Sequence, residues 1–169
     1  MAKQPWWRNA VIYQVYVRSF ADGNGDGAGD LIGLLDHLDY IASLGVDGVW
    51  LNPCYPSPQM DHGYDVSDYF DIEPAYGDIE IFDQLVSRAN NLGLRILMDV
   101  VPNHCSDQHA WFTEAVDAGR GSKQRERFWF RDGQGVNGEL PPNNWRRTTG
   151  MLQGKSENCL AACLWARAF

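Results

Sequence analysis

The order of the apolar runs limits most strongly what this chain can fold into. "AVIYQVYVRSF" (Ala10 to Phe20) is a β-branched and aromatic run broken only by Gln14, which predicts a strand buried on both faces. Leu31, Leu34, Leu35, Leu38, Ile41 and Ala42 then fall at helical spacing, and Gly45 suits a left-handed C-terminal cap. "GVWLNP" (Gly48 to Pro53) predicts a second, short strand, and a Pro/Tyr/Asp-rich loop runs from there to Gly77. Asp78 is placed to cap a helix with apolar positions Ile79, Phe82, Leu85, Val86, Ala89 and Leu92, which Gly93 stops. "LRILMDVVPNH" predicts a third strand from Leu94 to about Val101, closed by Pro102. Strand, helix, strand, helix, strand with crossover-length helices means an α/β protein with a parallel sheet.

Each of these strands ends in polar residues: Arg18 and Ser19, then Asn52, then Asp99 with Asn103 and His104. In a (β/α)8 barrel the chemistry sits at those C-terminal strand ends. A doubly wound sheet is the rival, but the first loop lacks both GxGxxG spacing and a P-loop Lys. Beyond Pro102 the pattern becomes irregular. "HAWFTEAVDAG" predicts a short helix and "RFWFRD" a short strand, and "GQGVNGELPPNNW" reads as loop.

A chain of 169 residues with 44% hydrophobic and 21% charged residues can bury one real core. The net charge of −8 makes nucleic acid a poor partner, because an acidic surface repels phosphate backbones. The most basic stretch, "RGSKQRERFWFR" (Arg120 to Arg131), is interrupted by Glu126 and reads as a solvated helix face. Neither a signal-peptide core nor a bilayer-length apolar run is visible, so the expected location is cytoplasmic, with no membrane partner. Cys54, Cys105, Cys159 and Cys163 lack zinc spacing and are expected to be inert buried thiols. His37, His62 and His109 show no ligand spacing.

"FADGNGDGAGD" (Phe20 to Asp30) is the most conspicuous local pattern. Asp22, Asn24, Asp26, Gly27, the Ala28 carbonyl and Asp30 occupy EF-hand positions 1, 3, 5, 6, 7 and 9. The twelfth position is Gly33, not a bidentate Glu, and the preceding element reads as a strand, so this is not an EF-hand. Two readings stand: hard oxygen ligands for a structural cation, or a connector with Asp30 as the N-cap of the next helix.

Six stretches in order carry a family resemblance: "WWRNAVIYQVYVRSF", "GNGDGAGDL", "LDYIASLGVDGVWLNP", "YPSPQMDHGYDVSDY", "AYGDIEIFDQLV" and "GLRILMDVVPNH". Together they resemble the N-terminal part of the α-amylase superfamily, glycoside hydrolase family 13, in its oligo-1,6-glucosidase and α-glucosidase branch. The resemblance implies the first part of a (β/α)8 TIM barrel over residues 1–101 and the start of an inserted domain B over 102–145. It implies retaining cleavage or transfer of α-glucosidic bonds in oligosaccharides or disaccharides. By the same token, Asp61 and Tyr64 match the base of the sugar pocket, the carboxylate on glucose hydroxyls and the ring on the sugar's apolar face. His104 matches a histidine that bonds the same glucose. Asp99 matches an aspartate supporting the active-site network, and Asn103 a position that holds domain B. The loop matches one that holds structural Ca2+ or Mg2+, here through Asp22, Asn24, Asp26, Ala28 and Asp30.

Retaining hydrolysis needs two carboxylates about 5–5.5 Å apart. The family places its nucleophilic Asp after the fourth strand and its acid/base Glu after the fifth, so no catalytic residue of that pair is assigned here. Asp61 and Asp99 match binding and supporting positions instead. A TIM barrel typically takes about 250 residues, so an incomplete barrel with exposed strand edges, inactive and poorly soluble alone, is expected. Residues 146–169, "RRTTGMLQGKSENCLAACLWARAF", diverge from the family and read either as a frameshifted tail or as a helix carrying Leu160, Cys163 and Leu164. Three functions follow: a fragment of an α-glucosidase-type enzyme or of a trehalose-synthase or sucrose-isomerising relative, a non-catalytic carbohydrate- or calcium-binding remnant, and a small α/β protein with a new role.

Overall fold

The computed structural model describes residues 4–132, 134–136, 140 and 159–162. The chain divides into two compact units, Met1–Pro56 with Tyr69–Val100, and Ser57–Asp68 with Val101–Phe169. The loop 57–68 therefore clusters with the second unit, although its sequence lies inside the stretch of the first.

The first unit is the α/β part. After a 3₁₀ turn at Trp6–Arg8 come β1 (Ile12–Val15), α1 (Val17–Phe20), α2 (Leu31–Asp36), α3 (Leu38–Ser43), β2 (Gly48–Leu51), α4 (Ile79–Asn91) and β3 (Arg95–Met98). The three strands form a parallel sheet in the order β1-β2-β3, with Ile12 opposite Gly48 and Gly48 opposite Arg95. Val15, Val49 and Leu51 from the strands meet Leu31, Leu34, Leu38, Ile41, Leu85 and Ala89 from the helices in one buried core. Asp78 caps α4 by accepting from the Ile81 N–H at 2.8 Å, and Gly93 follows the helix with φ +78°.

Three elements depart from the sequence expectation. The run from Ala10 pairs only over Ile12–Val15, and Gln14 is exposed, so β1 is not buried on both faces. The backbone beyond it is claimed by the Asp/Gly loop instead. Gly29 donates its N–H to the Arg18 carbonyl at 2.7 Å, and Asp30 donates to Ala21 at 2.9 Å. The helix expected from Leu31 to Ala42 breaks at His37, where φ is −101° and ψ is 4°. The His37 ring takes the Gly33 carbonyl at 2.7 Å, while its backbone N–H turns to Leu34 at 3.1 Å. The third strand stops at Met98 because its partner β2 ends at Leu51, two residues before Pro53.

The second unit is built from α5 (Ala110–Ala118), a 3₁₀ turn at Arg125–Arg127, and an antiparallel pair of β4 (Trp129–Asp132) and β5 (Cys159–Ala162). Phe112 lies edge-on to Phe128, with ring centroids 5.2 Å apart, and stacks on Phe130 at 6.2 Å. The basic stretch is not a solvated helix. Arg125 is buried with its guanidinium 3.8 Å from the Phe130 ring centre, a cation–π contact, and the segment continues into β4. At Cys159–Ala162 the backbone is a strand, which replaces the helix considered for that part of the tail. The other residues of 146–169 lie outside the described set.

Candidate sugar-recognition site

Asp65 is the residue from which the site is built. It is only 6% exposed, and both of its carboxylate oxygens accept hydrogen bonds. Oδ1 takes the Ser57 hydroxyl at 2.6 Å and the Asp61 N–H at 3.2 Å, and Oδ2 takes the Met60 N–H at 2.9 Å. Ser57 Oγ in turn accepts the Gln59 N–H at 2.9 Å. A buried carboxylate needs such donors, since desolvation without them costs several kcal/mol. The chain winds tightly around it: Gln59 at φ +60°, His62 at φ +55° and Gly63 at φ +100° are all left-handed. Two of these three are not glycine, so surrounding hydrogen bonds must hold the turn against its own preference.

That turn carries Asp61 and Tyr64, both partly exposed. The Tyr64 N–H closes it onto the Asp61 carbonyl at 3.0 Å. The Tyr64 carbonyl is then met by His104 Nε2 at 3.0 Å. A carbonyl only accepts, so Nε2 carries the proton, and Nδ1 is left to accept from Asn103 Nδ2 at 3.5 Å. Ser106 ties the same two segments by donating its N–H to the Val66 carbonyl at 2.8 Å. Asp61, Tyr64, Asn103 and His104 thus come together within the second unit. The arrangement offers a carboxylate and an aromatic ring on one anchored turn, with an imidazole bonded to the turn's backbone, residue types suited to the hydroxyls and C–H faces of a sugar.

Asp99 belongs to the first unit. Its N–H donates to Leu51 at 3.2 Å and its carbonyl accepts the Tyr55 hydroxyl at 3.0 Å, so both backbone groups are fixed at the end of β3. Burial, with Cys54 and Asp99 nearby, raises the Tyr55 hydroxyl above the usual phenol range. Burial also pushes the Cys54 thiol up to about 12 and the Cys105 thiol up to about 11, which keeps both protonated and inert.

The Asp/Gly loop also lies in the first unit and is coiled by its own side chains. Asp22 accepts from Gly25 at 2.6 Å and Gly27 at 2.8 Å, Asn24 from Asp26 at 2.9 Å, and Asp26 from Ala28 at 2.8 Å. The Gly27 and Gly25 donors hold the Asp22 carboxyl below the usual carboxylate range. Asp30 is 2% exposed and caps α2 through the Gly33 N–H at 2.6 Å, while also taking the N–H groups of Gly23 and Asn24. Gly33 replaces the EF-hand glutamate for a steric reason: a Cβ there would lie 2.1 Å from the Ala21 carbonyl oxygen. Among the described residues no three His, Cys, Asp or Glu side chains converge as a metal cluster. The donor chemistry of Asp22, Asn24, Asp26 and the Ala28 carbonyl nevertheless fits a hard cation, with carboxylates supplying only part of the set.

Two residues had passed without a role in the sequence. Asp65 closes the quoted "DHGYD" but is one aspartate among many, and only burial distinguishes it. His109 is the N-cap of α5, its Nδ1 accepting the Trp111 N–H at 3.0 Å.

Comparison with known proteins decides the family. The α-amylase catalytic-domain pattern matches residues 14–156. The chain belongs to the α-amylase catalytic-domain family. It is 52% identical over 145 residues to a trehalose-6-phosphate hydrolase of Escherichia coli (strain K12), covering 86% of this chain and 25% of that protein. It is 46% identical over 140 residues to an oligo-1,6-glucosidase of Heyndrickxia coagulans, covering 83% of this chain and 25% of that one. Among solved structures, an α-glucosyl transfer enzyme, XgtA, superposes with a TM-score of 0.78 at 46% identity, covering 86% of this chain and 26% of its own. The chain therefore spans about a quarter of the length of these family members. Among the described residues no helix is long and apolar enough to cross a membrane.

Proposed function

We propose that these residues carry the glucose-recognising part of a retaining α-glucosidase-type site acting on α-glucosidic disaccharides or oligosaccharides. The observation that carries this reading is the anchored turn of the second unit, which bears Asp61 and Tyr64 and whose Tyr64 carbonyl is bonded by His104. In this reading the Asp61 carboxylate accepts from hydroxyls of the terminal glucose, and the Tyr64 ring covers its C–H face. The family resemblance gives His104 a glucose contact, for which one ring nitrogen would leave its present partner, Tyr64 or Asn103, and it gives Asp99 a supporting role. Residues 1–101 form the first part of a (β/α)8 barrel and 102–145 begin an inserted domain. Ca2+ or Mg2+ binds the Asp/Gly loop through Asp22, Asn24, Asp26 and the Ala28 carbonyl as a structural ion; Asp30, the fifth residue of the expected set, is left out of it because its buried carboxylate accepts from Gly23, Asn24 and Gly33. Calorimetric titration of folded protein with Ca2+ and with Mg2+ tests this; no heat of binding for either would remove the ion.

Neither the nucleophile nor the acid/base is assigned within these residues, so the chain alone performs recognition without turnover. The test is p-nitrophenyl α-glucoside. The 169-residue polypeptide is expected to give no release above a matched blank, while residues 5–145 grafted in place of their counterpart in an oligo-1,6-glucosidase restore turnover. Turnover by the chain alone, or a folded graft that is inactive, would overturn the reading. The likeness to an α-glucosyl transfer enzyme supports glucosyl transfer as the second reaction to assay in the same graft.

A further inference from the structure

We propose that Asp65 is the positioning residue of this site: its buried carboxylate sets the conformation in which Asp61 meets a glucose hydroxyl. The inference rests on the sugar-recognition reading above and goes one step further, by naming the group that makes the recognition geometry.

Three observations converge on it. First, Asp65 is almost fully buried, yet its carboxylate accepts from groups within the preceding eight residues: the Ser57 hydroxyl, the Met60 N–H and the Asp61 N–H. A charge is buried here to organise one loop and nothing else among those contacts. Second, the loop needs organising. Gln59 and His62 sit at φ +60° and +55°, where L side chains are disfavoured, two residues before Asp61 and one after it. Third, the bond to the Asp61 N–H is made to the backbone of the very residue whose carboxylate would bind sugar. Fixing that N–H fixes where the Asp61 side chain leaves the main chain. Asp65 itself is out of reach of a ligand, so it acts through Asp61 and is not a sugar ligand.

The chemistry of the replacement makes the claim sharp. Asparagine at this position keeps the size but turns one acceptor oxygen into an NH2 donor. That donor would face either the Met60 N–H or the Ser57 and Asp61 donors, so at least one hydrogen bond becomes a repulsion.

The experiment uses the full 169-residue chain, as wild type, Asp65→Asn, Asp61→Ala and the double variant. Amide hydrogen exchange at Met60 and Asp61 is read together with glucose affinity from NMR titration. The expected result is that Asp65→Asn loses protection at both amides, keeps it in the first-unit core at Val49 and Leu51, and weakens glucose binding by about tenfold or more. In the Asp61→Ala background, Asp65→Asn should then change glucose affinity less than about twofold, because the two residues act in series. A merely structural role would instead add its full effect in both backgrounds. If Asp65→Asn abolishes folding of the second unit, Ser57→Ala removes one donor while sparing the two backbone bonds, and a three- to fivefold loss of glucose affinity is expected. Retained protection and unchanged affinity in Asp65→Asn, unchanged affinity in Ser57→Ala, or full additivity in the cycle would each overturn the proposal. Failure of the underlying reading looks different: the wild type then binds no glucose while Met60 and Asp61 still lose protection in Asp65→Asn.

Discussion

Two loops of this protein hang on a single buried aspartate each, and they differ in what the aspartate holds. Asp30, 2% exposed, gathers the N–H groups of Gly23, Asn24 and Gly33 and so welds the Asp/Gly loop to the start of α2. Asp65, 6% exposed, gathers Ser57, Met60 and Asp61 and welds a loop only to itself. The first loop borrows rigidity from a helix packed on a hydrophobic core, where Leu31 and Leu34 are fully buried. The second loop has no regular element of its own, so its shape depends on hydrogen bonds and on residues held at positive φ. The lesson is that the α/β unit can carry a loop on its scaffold, whereas the loop around Asp65 must be shaped by its own hydrogen bonds.

The contrast can be broken most severely at Gly33. Replacing it with alanine forces a Cβ to within 2.1 Å of the Ala21 carbonyl, so the first loop must separate from α2. Overpacking of this kind costs about 3 kcal/mol, and denaturant titration should show that loss. A Gly33→Ala chain with unchanged midpoint would mean that the loop is not welded to the helix. Next comes Asp30→Ala, which removes a helix cap and two further N–H partners. The expected loss is about 2 kcal/mol in the same titration.

A pH experiment sharpens the comparison for the second unit. Burial holds the His109 imidazole below its ordinary range, against the opposing pull of Asp68 and Glu114. In the folded chain Nδ1 must stay unprotonated to cap α5. Between the lowered folded value and the ordinary value of 6.5, the unfolded chain binds more protons than the folded one. Stability therefore falls as the pH drops through that window and levels off below it, where both states carry the proton. Following α5 by hydrogen exchange from neutral to mildly acidic pH should show the second unit weakening. His109→Asn, which keeps a side-chain acceptor but no titration, should flatten that dependence. The smallest effect is expected at Arg88 and Asp39, which pair at 2.7 Å but are 47% and 62% exposed. Arg88→Ala should cost no more than about 0.5 kcal/mol and less at high salt.

Much of the first unit was legible because it rests on periodicity. The alternation of strand runs with helical spacing at Leu31–Ala42 and Ile79–Leu92 gave the parallel α/β order, and Asp78 and Gly93 marked the ends of α4 where they stand. The errors came where side chains compete for backbone partners. His37 splits a helix by taking the Gly33 carbonyl, and the Asp/Gly loop takes carbonyls that would have extended β1. Arg125 was misplaced on a solvated face because charge alone does not disclose a ring beneath it. At the candidate site Asp61, Tyr64 and His104 were singled out by the motif around them, and the structure bonds His104 to the turn that carries the other two. Asp65 was not, since its importance lies in burial, and burial of a polar residue has no pattern in a single sequence.

The central claim is that the second unit presents a glucose-binding turn. Its most direct test is a glucose titration of the 169-residue chain followed residue by residue in 1H–15N spectra. Saturable shifts centred on Asp61, Tyr64 and His104, lost in Asp61→Ala, are the expected result. A folded chain whose spectrum does not move with glucose, or moves only in the first unit, would contradict it.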